Sequence, residues 1–106
     1  ILGSLDINKN QPLAEGYKVY QNFPNPFNPT TTISYKLPKD SHVKVTIYDM
    51  MGRLVKNLIS GYHISGYRTI KWDATNNKGE SVSAGMYLYV VDAGEFKQVR
   101  KMLFIK

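Results

Sequence analysis

Ten residues, Gln21 to Thr30 (QNFPNPFNPT), hold three prolines (Pro24, Pro26, Pro29), three asparagines (Asn22, Asn25, Asn28) and two phenylalanines (Phe23, Phe27). Each proline sets its own φ near about −65°, removes a backbone donor and drives the residue before it toward extended conformation. Such a segment is excluded from helix and from the interior of a sheet. It is expected to be an extended, kinked path leading into a folded unit. The asparagine amides suit that path because they bond to neighbouring backbone, and Phe23 and Phe27 are both expected to pin it to an apolar surface.

The pattern changes across this segment. Residues 1–16 (ILGSLDINKNQPLAEG) show no sustained period and include Pro12 and two glycines, which reads as a linker or the tail of an upstream region. From Tyr17 onward short alternating segments take over, so residues 17–106 form the expected domain. Thr31 to Leu37 alternates with Ile33, Tyr35 and Leu37 on one face, and His42 to Tyr48 places Val43, Val45 and Ile47 on one face. Arg53 to Ser60 is ambiguous. Its apolar residues Leu54, Val55, Leu58 and Ile59 also fit a helical spacing, but its short length between strands favours a strand. Tyr67 to Trp72 alternates again, Asp73 to Gly79 is dense in turn formers, and Ser81 to Val82 reads as a short bridging strand. Met86 to Val91 is apolar on both faces, as a central strand would be, and Phe96 to Lys106 is the final strand. Turn signals recurring about every 10 to 13 residues between six or seven short strands are the pattern of an all-β sandwich.

The chain of 106 residues suits one domain, and 42% hydrophobic content with eight tyrosines and one tryptophan is globular rather than disordered. No apolar run approaches the roughly 18 residues of a transmembrane segment, and no signal-peptide pattern is present. The chain starts at Ile1 and reads as a piece of a longer protein. It has no cysteine, which excludes disulfides and thiol chemistry without deciding the compartment. A formal charge of +6 suits anionic partners in general. The basic residues are scattered until the last ten positions, where Lys97, Arg100, Lys101 and Lys106 occur with no acid among them.

Catalytic constellations are missing from the sequence. His42 and His63 have no neighbouring nucleophile motif, and the acids are spread too thinly for paired acid/base work. Asp73, Asn76, Asn77 and Glu80 offer oxygen ligands, but their spacing departs from a calcium loop and Lys78 interrupts it. No cofactor is expected. Tyr62, Tyr67, Trp72, Tyr87 and Tyr89 suit either a carbohydrate platform or a sandwich core, and for Trp72 the core is the natural place. No phosphate loop or RNA-binding aromatic pattern is present, so no nucleic-acid partner is expected.

Four segments in order, YQNFPNPFNPTTTISYKLP (Tyr20 to Pro38), VTIYDMMGRLVKNL (Val45 to Leu58), GYRTIKWDATNNKGESVSAGMYLYVV (Gly66 to Val91) and RKMLFIK (Arg100 to Lys106), closely resemble the type A C-terminal sorting domain of the type IX secretion system. The Ig-like domain of flagellar hook-capping proteins is similar through the W-D, G-x-Y-x-Y and K-M elements. The resemblance implies an Ig-like antiparallel β-sandwich of about seven strands that is not an enzyme. It implies a signal that directs an upstream cargo domain in the same chain, via the periplasm and across the outer membrane, to the cell surface. The implied partners are the outer-membrane translocon with its shuttle and sortase components. The sortase commonly removes such a domain and joins the cargo to anionic lipopolysaccharide, and a cut would fall in the leader before Tyr20. The family-motif positions are Asn22, Pro24, Asn25, Pro26, Phe27, Asn28, Pro29, Gly52, Arg53, Gly85, Tyr87 and Tyr89. Phe23 departs from the tyrosine common in the family.

A folded sorting signal needs an accessible element of fixed shape, and a final strand at a sheet edge offers one. The expected recognition residues are Lys97, Arg100, Lys101, Met102, Leu103, Phe104, Ile105 and Lys106. Val99, Leu103 and Ile105 are expected to hold the strand down while the basic residues face outward. The alternative reading is a carbohydrate-binding or adhesive Ig-like module of a secreted enzyme.

Overall fold

Apolar side chains at every second position can share one dry surface only if the backbone is extended, and the chain answers with seven strands. They are β1 (Lys18–Val19), β2 (Thr31–Leu37), β3 (Ser41–Asp49), β4 (Leu54–His63), β5 (Gly66–Trp72), β6 (Gly85–Ala93) and β7 (Phe96–Phe104). The computed structural model describes residues 16–106; apart from Gly16, the linker expected over residues 1–16 lies outside them. No helix is present among the described residues.

The strands form two antiparallel sheets, ordered β1-β2-β5 and β4-β3-β6-β7, which pack as an Ig-like sandwich. The smaller sheet contributes Val19, Ile33, Tyr35, Leu37 and Trp72 to the core. The larger contributes Val43, Val45, Ile47, Tyr87, Tyr89, Val91, Met102 and Phe104. Burial of a large apolar side chain is worth about 1.5–3 kcal/mol, so this layer provides the main stabilisation. Trp72, Tyr87 and Tyr89 are therefore core residues, whereas Tyr62 and Tyr67 stand in solvent.

The ambiguous segment is strand β4, and its helix-like spacing has a local cause. The β3–β4 register shifts twice, between Val45 and Thr46 and between Ile47 and Tyr48, leaving Leu58 and Val55 as extra residues on the β4 side. Each bulge restarts the alternation, so Val55, Leu58 and Ile59 all reach the core from a strand. Ser81 makes only an isolated bridge to Thr75, so the expected short strand over Ser81 to Val82 is part of a long loop between β5 and β6.

Two expectations are reversed. In β7 the residues facing the core are Phe96, Gln98, Arg100, Met102 and Phe104, while Val99 and Ile105 are 50% and 46% exposed. Val99, Leu103 and Ile105 thus lie on the outer face and do not hold the strand down. The two alternating sets of β7 both contain apolar residues, and the larger pair, Met102 and Phe104, wins the core beside Phe27. Phe23 is the second reversal: it is 79% exposed, and only Phe27, at 1%, is an anchor.

Candidate functional site

The proline segment runs along the outer edge of β7. Strand β6 takes one side of β7, which leaves the main-chain groups of alternate residues facing outward. The Phe27 N–H donates to the Leu103 carbonyl and the Ile105 N–H donates to the Phe27 carbonyl, both at 3.0 Å. The Leu103 N–H donates to Asn25 Oδ1 at 2.9 Å, and Gln21 Nε2 donates to the Lys101 carbonyl at 2.8 Å. A segment that cannot join a sheet as a regular strand instead clips onto its edge through isolated donors and side chains. Phe27 locks the clip: its ring lies 5.3 Å from Phe104 and 5.7 Å from Trp72, centroid to centroid.

Asn22 organises the start of this clip from inside. It is 2% exposed, and its backbone N–H and both polar atoms of its side chain have partners. Its backbone N–H donates to the Tyr89 hydroxyl, and its Nδ2 donates to Thr31 Oγ1 and to the Pro24 carbonyl. Its Oδ1 accepts from Gln21 Nε2 at 2.7 Å. Thr31 Oγ1 in turn donates to the Pro24 carbonyl, and the Tyr89 hydroxyl donates to the Tyr20 carbonyl at 2.7 Å. Burial raises the pKa of Tyr89, partly offset by the Asn22 N–H and by Arg100, so the phenol stays a donor. Arg100 Nε reaches the Val19 carbonyl at 2.8 Å, which ties the inward face of β7 to β1.

The structure thus brings Asn22, Pro24, Asn25, Phe27 and Tyr89 together with Lys101 to Ile105. Pro26, Asn28 and Pro29 are exposed on the outer side of the clip. Gly52, Arg53, Gly85 and Tyr87 are gathered elsewhere, at one end of the larger sheet. Asp49 caps the β3–β4 turn there, accepting the backbone N–H groups of Arg53 and Met51 and pairing with Arg53 Nε at 2.8 Å. The Arg53 backbone bond, chiefly, holds its carboxyl below the usual range. Gly52 follows at φ +83°, which a Cβ would strain. Arg53, Gly85 and Tyr87 border an open cleft of about 440 Å³ with Asp49 and Asn76. The β5–β6 loop spends its oxygens on itself and on β4: Asp73 accepts from the Thr75 hydroxyl, Glu80 from Asn76, Asn76 Oδ1 from the N–H groups of Lys78 and Glu80, and Asn77 Oδ1 from the Asn57 N–H.

Of the expected recognition residues, Lys97, Lys101, Leu103, Ile105 and Lys106 lie on the outer face or past the end of β7, and Met102 and Phe104 are buried. Arg100 belongs to the inner side. Sequence reasoning missed Gln21 and Thr31 as members of the clip. A short polar residue flanking the proline run on each side was the available signal.

The profile of the FlgD Ig-like domain matches residues 25–95, more than half of the chain. The chain belongs to the FlgD Ig-like domain family. As a member of that family it shares its sandwich with several solved proteins. Dimeric latent PorU from Porphyromonas gingivalis is 30% identical, with a TM-score of 0.65 over 84% of this chain and 9% of that one. PorZ, described as an essential bacterial surface component of the type IX secretion system of the same organism, is 24% identical, with a TM-score of 0.58 over 93% of this chain and 12% of its own. FlgD from P. aeruginosa is 23% identical, with a TM-score of 0.56 over 85% and 65% of the two chains. The chain therefore spans about a tenth of the length of PorU and PorZ. No curated protein matches it.

Proposed function

We propose that this Ig-like domain is a non-catalytic sorting module, read by the outer-membrane translocon of the type IX secretion system, that carries an attached cargo to the cell surface. The observation that supports it is the state of β7. The strand is locked at its far half, from Lys101 to Ile105, by the proline clip, while among the described residues no hydrogen bond meets the outward main-chain groups of Lys97 and Val99. The outer side chains Lys97, Val99, Lys101 and Leu103 lie beside Asp92, Val90, Leu88 and Met86 of β6, an apolar strip that carries Lys97 and Lys101 and ends at Asp92. Exposed apolar surface rimmed by charge marks contact sites, and a half-open edge suits pairing with an extended partner. The likeness to PorZ adds support from the same secretion context. Residues 17–106 are the proposed module, residues 1–16 its linker to cargo, and a cut before Tyr20 would leave Asn22 and the clip within the released domain.

Deleting Lys101 to Lys106 is a poor test, because it removes Met102 and Phe104 from the core and unfolds the module. Charge reversal at exposed sites is a clean one. Residues 17–106 are fused behind a reporter carrying an export signal in a bacterium with this secretion system, and surface reporter is measured on intact cells. K97E/K101E is expected to lower surface display at least about tenfold, equivalent to about 1.4 kcal/mol of lost recognition, against a loss of folding stability of at most about 1 kcal/mol from setting the new carboxylate at position 97 opposite Asp92. Display at the level of the unmodified fusion would defeat the proposal.

A further inference from the structure

The sheet opposite β7 presents a second surface of different chemistry. Antiparallel register places three ranks of side chains on the outer face of β1-β2-β5. Lys18 lies beside Lys36 and Lys36 beside Tyr67; Tyr20 beside Ser34 and Ser34 beside Thr69; Phe23 beside Thr32 and Thr32 beside Lys71. Strands about 4.8 Å apart and ranks about 6.7 Å apart make a tile of roughly 10 by 13 Å. The three aromatic residues are 37%, 79% and 63% exposed for Tyr20, Phe23 and Tyr67, and all three lysines are exposed.

Among the described residues no carboxylate interrupts the tile. The acids nearest its ends are turned into loops, where Asp73 accepts from the Thr75 hydroxyl and Asp40 from the Ser65 N–H. The aromatic rings are also pre-arranged. Tyr20, just past β1, and Tyr67 of β5 flank β2, yet their centroids are 5.9 Å apart at 61°, so the two rings meet across β2. Lys18 Nζ sits 5.9 Å from the Tyr20 ring centre. These contacts already restrict the side chains that a ligand would otherwise have to order.

We propose that this face binds an acidic polysaccharide of the polyuronate type. Sugar C–H faces pack on Tyr20, Phe23 and Tyr67, sugar hydroxyls meet Thr32, Ser34 and Thr69, and carboxylates meet Lys18, Lys36 and Lys71. Charge complementarity selects an anion, and the combination of exposed rings with a row of hydroxyls selects a sugar over an acidic peptide. The tilt between Tyr20 and Tyr67 forms a corner rather than the parallel platforms on which successive bases stack, which disfavours single-stranded nucleic acid. The site lies on the opposite sheet from Lys97 and Lys101 and stands whether or not the domain is a sorting module.

The test titrates the full 106-residue chain with alginate oligosaccharide, with dextran oligosaccharide as a neutral control, polyglutamate as an acidic peptide and oligothymidylate as a nucleic acid. Binding to alginate is expected, weakened about tenfold or more by F23A or Y67A, and likewise by K36A/K71A, while K97A/K101A leaves it unchanged. Phe23 and Tyr67 are exposed, so these variants should keep the parent thermal midpoint, which is measured alongside. Absence of alginate binding overturns the proposal. So does equal loss in K97A/K101A, which would reveal net charge alone, and so does tighter binding of polyglutamate or oligothymidylate than of alginate.

Discussion

Replacing Phe27 by alanine separates the clip from the rest of the sandwich. The ring is 1% exposed and packs between Trp72 and Phe104, so its removal opens a cavity at the seam of both sheets. Buried Phe→Ala substitutions cost about 3–5 kcal/mol. The upper half of that range is expected, because the flanking bonds from Phe27 to Leu103 and Ile105 lose their anchor as well. Against a total stability of about 5–15 kcal/mol this is a large fraction. It translates into a fall of about 15 to 30 °C in thermal midpoint for a domain of this size. Phe23→Ala, at a side chain 79% exposed, should stay within about 0.5 kcal/mol. Urea unfolding gives both values, and amide hydrogen exchange gives the location. In Phe27→Ala the Leu103 and Ile105 amides should exchange faster relative to those of β3. A cost below about 1 kcal/mol for Phe27→Ala, or equal costs for the two phenylalanines, would refute the clip as a packed element.

Tyr89→Phe removes the hydroxyl that accepts the Asn22 N–H and donates to the Tyr20 carbonyl, leaving two groups unpaired near the core. A loss of about 1–3 kcal/mol in urea unfolding is expected, and a neutral result would contradict the network. Asp49 titrates below its ordinary value of 3.8 in the folded protein, first because of the Arg53 backbone bond. Its stabilising effect is therefore complete above that ordinary value and is lost as pH falls through the lower folded one. Thermal midpoints followed downward from about pH 5 should show this loss in the parent and a flatter profile in Asp49→Asn, and parallel profiles would exclude Asp49 as the titrating cap.

Much of the fold was legible because strand parity is written locally. Val43, Val45 and Ile47 announced the inner face of β3, and Ile33, Tyr35 and Leu37 that of β2, with no help from tertiary contacts. Parity fails where a bulge restarts it, as at Val55 and Leu58, and where both faces carry apolar residues, as in β7. There a shift of one residue exchanges the faces, and only the cavity beside Phe27 and Trp72 decides between Met102 with Phe104 and Val99 with Leu103. The inward set also includes Gln98 and Arg100, whose polarity pointed the wrong way; Arg100 fits because the Val19 carbonyl receives it. The aromatic and basic tile was legible in part. Thr32, Ser34 and Lys36 share one parity, and so do Tyr67, Thr69 and Lys71, but nothing local shows that the two sets are neighbours.

By itself the sequence determined that residues from Tyr17 onward make short antiparallel strands, that Gln21 to Thr30 stays outside any regular ladder, and that the last strand is basic. Those follow from side-chain alternation, proline geometry and composition, which act over a few residues. Tertiary structure alone decided that the proline segment closes the edge of β7 some 78 residues further along the chain, as the Asn25 to Leu103 bond shows, and which face of that strand looks outward. Both are settled by which groups remain unpaired and which cavity remains unfilled once the two sheets have met, and neither quantity exists before they do.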